Sequence, residues 1–293
     1  MEKENFRRDV RRIGEVLLIF VFLQLFWGFV LSILFNGVLK IENVEVSMGL
    51  IELVASLIAG AGSYYYGKAR LHIQFSKDFN SFPKKEIINS LSLMIFLSTI
   101  VNIGLILIKE IWMRLTGFTF YTPDFSMSSS RFYNLCLIIS TLVIAPIFEE
   151  LIFRGLILRT LSKYSKTLAI VLSGVLFGML HMNIEQAIPT MVIGMLFAYV
   201  SLKNNTLYLP IVLHFINNAI AFLALNVSGL EMIISYFEFG MMVLGGVTFF
   251  SRIKEVIRKV DFYPHTVEIW KQWTMVVFGV LFLIFGIGSL FNF

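Results

Sequence analysis

An all-α polytopic membrane bundle of about eight to nine transmembrane helices is the fold this sequence predicts. Three observations predict it. Of 293 residues, 57% are hydrophobic and 15% charged, and the mean hydropathy is +0.81, whereas water-soluble domains sit near half apolar and a quarter charged. The apolar residues gather into runs close to the ~20 residues that cross a hydrocarbon layer. The basic residues, which give a net charge of +5, stand beside those runs rather than apart from them. A span in lipid must satisfy its own backbone hydrogen bonds, so each run is expected as a helix.

The runs fall at 14–39, 47–67, 87–108, 132–162, 167–187, 188–202, 207–225, 231–250 and 272–291. Lys3, Arg7, Arg8, Arg11 and Arg12 precede the first, like the start of a signal peptide. That run continues to about Leu39, longer than a cleavable segment, and is expected as a retained span. The sixth is short and abuts the fifth, with Pro189 near the join. Residues 110–131 carry Trp112, Phe118, Phe120 and Tyr121, and residues 251–271, with Trp273 just beyond, carry Phe262, Tyr263 and Trp270. Both are expected as short helices at the headgroup level.

The loops give a separate test. Lys68, Arg70, Lys77, Lys84 and Lys85 lie in the second loop, Arg159, Lys163 and Lys166 at the fourth, Lys203 in the sixth, and Arg252, Lys254, Arg258, Lys259 and Lys271 in the eighth. The first, fifth and seventh carry almost none; Lys109, Arg114 and Arg131 lie in the third. Nine spans with a cytoplasmic N-terminus put every strongly basic loop inside. The same placement reads the charge as topology signal and lipid contact, so no nucleic-acid partner is expected. Cys136 is the only cysteine, which excludes an intramolecular disulfide and a cysteine metal cage. The chain divides into N-terminal helices and an interfacial segment at 1–130, a core at 131–226 and C-terminal helices at 227–293.

The core carries the chemistry. Glu149 and Glu150 stand in an apolar stretch with Arg154 four residues after Glu150. Desolvating such groups is costly, so intramembrane acids point to function. Glu150 and Arg154, at i and i+4 with the acid first, form a favourable helical ion pair. Glu149 points about 100° away, without that partner, and is the candidate general base. Glu149 lies 14 residues before Lys163 and His181 lies 15 after Lys166. Both are then about 21 Å from the tip of one helical hairpin and can meet. His214 and Asn218 share a helix face and aim two donors at one point, as an oxyanion site requires. Asn217, at i+3, is the alternative to Asn218.

His72 and His265 fall in loops away from this cluster, and the sequence has no HExxH, GxSxG or P-loop pattern. Glu149, His181 and His214 are the residues that would ligate zinc, in a site keeping an open position for water. In the metal-free alternative Glu149 and His181 activate water, while His214 and Asn218 stabilise the tetrahedral intermediate. The residues are compatible with both.

Three segments in this order, Glu149-Glu150-Leu-Ile-Phe-Arg154, Phe177-Gly-Met-Leu-His181 and His214-Phe-Ile-Asn-Asn218, resemble the EExxxR, FxxxH and HxxxN/D motifs of type II CAAX prenyl endopeptidases, the CPBP or Abi intramembrane proteases. The resemblance covers about residues 140–225. It implies hydrolysis of a peptide bond inside the bilayer, with Glu149 as base, His181 assisting, His214 and Asn218 at the oxyanion, and Glu150 and Arg154 in support. Eukaryotic members trim prenylated proteins; bacterial relatives are linked to bacteriocin self-immunity, peptide-signal maturation and surface-protein processing. The expected partners are the lipid bilayer and a membrane-bound peptide or protein substrate, and the composition suits a bacterial plasma membrane.

A protease in a bilayer must admit water and peptide while excluding lipid. A conical catalytic core of tilted helices does this, and Pro146, three residues before Glu149, is the expected kink that widens it. The alternative is a non-catalytic membrane binding protein of the same fold, serving bacteriocin self-immunity or scaffolding a sensor.

Overall fold

The computed structural model describes residues 1–73 and 82–291. Lys77, counted above among the basic residues of the second loop, lies outside them. The described residues form nine α-helical rods: α1 Glu2–Val38, α2 Val44–Leu71, α3 Lys84–Thr116, α4 Arg131–Leu161, α5 Lys166–Leu180, α6 Ile184–Asn204, α7 Tyr208–Asn226, α8 Glu231–Arg258 and α9 Trp273–Gly288. A 3-10 turn at Thr266–Lys271 precedes α9. Seven of the helices are long and apolar enough to cross a membrane; α5 and α9 are apolar but shorter.

The helices begin and end where local chemistry dictates. Asn43, Ser130 and Ser165 accept backbone N–H bonds from Val46, Tyr133 and Leu168 at the starts of α2, α4 and α5, which satisfies donors that a helix leaves open. Gly117 takes a left-handed conformation (φ 77°) and returns its N–H to the carbonyl of Met113, ending α3 as glycine commonly does.

Contacts between termini fix the alternation of direction. At the N-terminal face Arg70 meets Glu15, Lys203 meets Glu86, Tyr164 meets Asp9 and the Asp261 carboxylate accepts from the Thr167 N–H. At the opposite face Lys109 pairs with Glu185, the Trp112 indole donates to the Leu290 carbonyl, and Asn226 donates to the Phe125 carbonyl. The basic ends of α2, α4, α6 and α8 therefore share the face that carries Arg7 and Arg8.

Three expectations need correction. The break between the fifth and sixth spans lies at His181–Asn183, not beside Pro189. There Met182 is left-handed (φ 55°) and the Asn183 side chain caps the Gln186 N–H. Pro189 sits inside α6. Hydropathy misplaces the join because Ala187 and Ile188 continue the apolar run past it. Residues 110–131 do not form an interfacial helix: α3 continues to Thr116 and the chain from Gly117 to Ser130 is non-helical. Likewise α8 continues to Arg258, and of 259–271 only the 3-10 turn is helical.

The core sits where α1, α4 and α5 meet. Phe6, Val10, Ile13 and Leu17 pack with Ile152, Phe153, Leu156 and Ile157, and with Leu172, Leu176 and Phe177. Gly174 and Gly178 let α5 lie directly on α6: a Cβ on Gly174 would stand 2.8 Å from the Met191 carbonyl oxygen, and one on Gly178 2.5 Å from that of Ala187. Close approach over small residues is how helices associate where lipid is as apolar as leucine. The α5–α6 contact brings the end of α5, with His181, beside α4.

Candidate active site

The site grows out of an irregularity in α4. Two stretches, Ile139–Ile144 and Leu151–Ile157, are wound as π-helix around the α-helical Ala145–Glu150. In the first stretch the N–H of Ala145 bonds to the carbonyl of Ser140, five residues back. The next donor in that register would serve Thr141, but it is Pro146, which has no N–H. The carbonyl so released accepts from the side-chain amide of Asn218 instead, Nδ2 to O 2.9 Å. The carbonyl left free by Pro146 thus ties α4 to α7 just before the glutamates. Single π turns inside helices recur at functional sites.

Glu150 and Arg154 are both fully buried. Arg154 Nη1 donates to Glu150 Oε1 at 3.0 Å and Nη2 to the Gly194 carbonyl at 2.9 Å. Three rings enclose the guanidinium, with Phe177 nearest at 4.5 Å to its centroid, then Phe197 and Phe153. Gly194 is required here: a Cβ would stand 2.9 Å from Phe177 and 3.3 Å from Arg154 Nη2.

Glu150 Oε1 has a second partner that the sequence did not disclose, His214 Nδ1 at 3.0 Å. A carboxylate only accepts, so Nδ1 carries the proton and donates it to the bond, and Nε2 is turned the other way. It faces Glu149, 3.9 Å from Oε2, an oxygen that is buried and has no protein hydrogen-bond partner. The two glutamates thus differ in their contacts: Glu150 holds Arg154 and His214, while Glu149 lines a cavity.

His181 closes α5. Its Nδ1 lies 3.1 Å from the Phe177 carbonyl and must donate to it, which leaves Nε2 as the free ring nitrogen. The Phe177 ring lies edge-on between the two histidines, with centroids 5.4 Å from His181 and 5.7 Å from His214. His181 makes no hydrogen bond with Glu149; the imidazole nearest that carboxylate is His214. Asn217 and Asn218 act in series. Asn217 Nδ2 donates to Asn218 Oδ1 at 3.2 Å, so both polar atoms of Asn218 are oriented and one of its N–H bonds is left over.

Glu149, His181, His214, Asn217 and Asn218 all line one cavity of about 540 Å³. The cavity also exposes polar groups that sequence reasoning passed over: Gln24 and Glu52 from α1 and α2, Ser140 and Thr141 from α4, and Gln186 and Thr190 from α6. Gln24, Glu52 and Thr190 were accessible to the rule that singles out polar residues at membrane depth. Among the described residues no three His, Cys, Asp or Glu side chains are gathered closely enough to hold a metal ion, and the bond from His214 Nδ1 to Glu150 leaves Nε2 as the ring nitrogen that faces the cavity.

The searches of curated proteins and of solved structures gave no match. Residues 131–220, the stretch holding both glutamates, both histidines and Asn218, match the family model described as Type II CAAX prenyl endopeptidase Rce1-like.

Proposed function

We propose that the protein is an intramembrane endopeptidase that hydrolyses a peptide bond in a membrane-associated peptide or protein tail. The observation that carries this reading is the convergence of Glu149, His181, His214 and Asn218, from three helices, on one cavity.

Glu149 Oε2 takes a proton from a water molecule whose second hydrogen is held by His181 Nε2. The water oxygen bonds to the carbonyl carbon, and the displaced electron pair moves to the carbonyl oxygen. His214 Nε2–H and the spare Asn218 N–H receive that oxyanion. For this His214 is doubly protonated, and Glu150 balances its charge while also facing Arg154. The carbon–nitrogen bond then breaks, and the departing nitrogen takes the proton held by Glu149. The second hydrogen of the water, left on the new carboxyl group, passes to His181 Nε2 and from there to solvent, so the products are a carboxylate terminus and a free amine terminus, and no metal is needed.

The surrounding bilayer is proposed to be a plasma membrane, with the basic face and the N-terminus on the cytoplasmic side. The test uses purified wild type and Glu149→Gln with membrane-peptide and lipopeptide libraries, cleavage being read by mass spectrometry. Cleavage should fall by about a thousandfold or more in the variant, with unchanged thermal unfolding and no effect of a chelator on wild type. Equal cleavage by both proteins would sink the assignment of Glu149, and loss on chelation with recovery on zinc would sink the metal-free mechanism.

A further inference from the structure

The mouth of the cavity is built from acceptors. Glu52, exposed on α2, lines it together with Ser56 and Gln24. Gln24 Nε2 donates to Ser56 Oγ at 3.4 Å, and Ser56 Oγ donates its one hydrogen to Glu52 Oε1 at 3.0 Å. These bonds leave two acceptors on cavity-lining residues unsatisfied: the remainder of the Glu52 carboxylate, and Gln24 Oε1, which is buried without a partner. Among the described residues Glu52 has no ion-pair partner. Tyr133, in the first turn of α4, lies within electrostatic reach of Glu52, Glu45 and Asp124 together. Of the cations at this face, Lys109 is paired with Glu185 and Arg114 with Glu110, which leaves Lys40 and Arg131. The chain is basic as a whole, yet the surroundings of this mouth are acidic.

We infer that the mouth takes a Lys or Arg side chain of the bound peptide, held by Glu52, and that Glu52 sets which peptides are favoured. The inference rests on the peptidase reading for the bond that is cut, and on the cavity alone for the charge that is bound. Helix geometry supplies a register. Glu52, Ser56 and Gly60 succeed one another at four-residue intervals along α2, all lining the cavity, and Phe148, the neighbour of Glu149, packs on Gly60. The eight residues from Glu52 to Gly60 rise about 12 Å. An extended peptide covers that distance in about three or four residues. The basic residue therefore lies about three or four residues from the bond facing Glu149.

The experiment uses the full chain in detergent and a set of fluorescent apolar peptides that differ only in carrying Lys, Gln or Glu at successive positions. Binding is measured on Glu149→Gln by anisotropy, and cleavage on wild type. Lys peptides should bind about fivefold more tightly than Gln peptides, with Glu peptides weakest, and kcat/KM should follow that order most steeply at the predicted register. Adding Glu52→Gln should bring the Lys-to-Gln ratio close to one, and Glu52→Lys should invert the order. Glu52→Gln is nearly isosteric and guards against a folding failure of the charge reversal; unfolding curves check both. Wild-type ratios in both Glu52 variants would overturn the inference. If the charge order appears in binding but wild type cuts nothing, the peptidase reading falls and the Glu52 assignment stands. If wild type cuts all three peptides alike, the Glu52 assignment falls and the peptidase reading stands.

Discussion

Two ionic clusters in this molecule use the same chemistry in opposite surroundings. In the interior, Glu150 faces Arg154 and His214, with both members of the Glu150–Arg154 pair fully buried. At the N-terminal face, Glu268 gathers Arg7 at 2.6 Å, Lys271 at 3.1 Å and Lys3 at 3.2 Å, with the three cationic side chains 42–56% exposed. The surface cluster has more cations and a shorter contact, yet water competes for every one of them. In the interior nothing competes, so breaking a pair leaves a bare charge in a medium that solvates it poorly. The number of contacts is therefore a poor guide to what each cluster contributes; the alternative available to each group is the better one.

The largest expected effect follows at once. Arg154→Met should destabilise the protein by about 3–5 kcal/mol, the usual cost of stripping one partner from a buried pair, as read from unfolding in detergent. Adding Glu150→Gln should recover most of that loss, since neither charge is then left alone. Cleavage should stay lost in the double variant, because a glutamine no longer gives His214 Nδ1 an anionic partner. Full stability of Arg154→Met alone would show that the interior pair is no more than a surface pair placed deep.

A smaller effect separates the packing around the interior cluster from its charge. A Cβ on Gly194 would meet Phe177 at 2.9 Å, the Gly174 Cα at 3.1 Å and Arg154 Nη2 at 3.3 Å, so Gly194→Ala should cost about 1–3 kcal/mol by overpacking. Gly240, in α8, has nothing within 4 Å of a Cβ. Gly240→Ala should be neutral or stabilise by up to about 1 kcal/mol through helix propensity. Comparable losses at both positions would mean that α8 is packed more tightly than its contacts indicate.

Much of this was legible in the sequence, for reasons that differ by residue. The helices were legible because lipid forces apolar length and internal hydrogen bonding together. The Glu150–Arg154 pair, and the common placement of His214 and Asn218, were legible because helical spacing alone sets them. The bond from Glu150 to His214 was not: it joins residues 64 apart on two different helices, whose relative rotation is set by tertiary packing and not by spacing along the chain. Nor was the task of Asn218 at Thr141, which exists only because a π turn moves the carbonyl freed by Pro146 one residue back. The break at Met182 was hidden because a left-handed residue and an Asn cap leave no trace in hydropathy. Glu52 and Gln24 were visible as polar residues within spans; what could not be read was that α1 and α2 turn them toward the same cavity.

The surface cluster supplies the smallest effect and the one that depends on pH. Its hydrogen bond from Arg7, with those of Lys271 and Lys3, holds the Glu268 carboxyl at about 2, below its usual 4.5. Nearby Asp261, bonded to Thr167, is likewise held at about 2 rather than 3.8. A carboxylate depressed by folding contributes stability that is fully present above its unfolded value and is lost as the pH falls through its folded one. Both tethers should therefore be intact at neutral pH, weaken from about 4.5 downward and be gone near 2. Because they join the start of α1 and the start of α5 to the segment before α9, hydrogen exchange should quicken there first. The Glu150–Arg154 region, closed to water, should keep its protection over the same range. Salt offers a second axis, since about 1 M screens charges beyond ~3 Å in water but reaches a buried pair far less. Arg7→Ala should reproduce the local loosening at neutral pH without a measurable fall in the unfolding temperature. A global loss of protection in that variant would mean that the N-terminal tether, rather than the buried pair, holds the bundle closed.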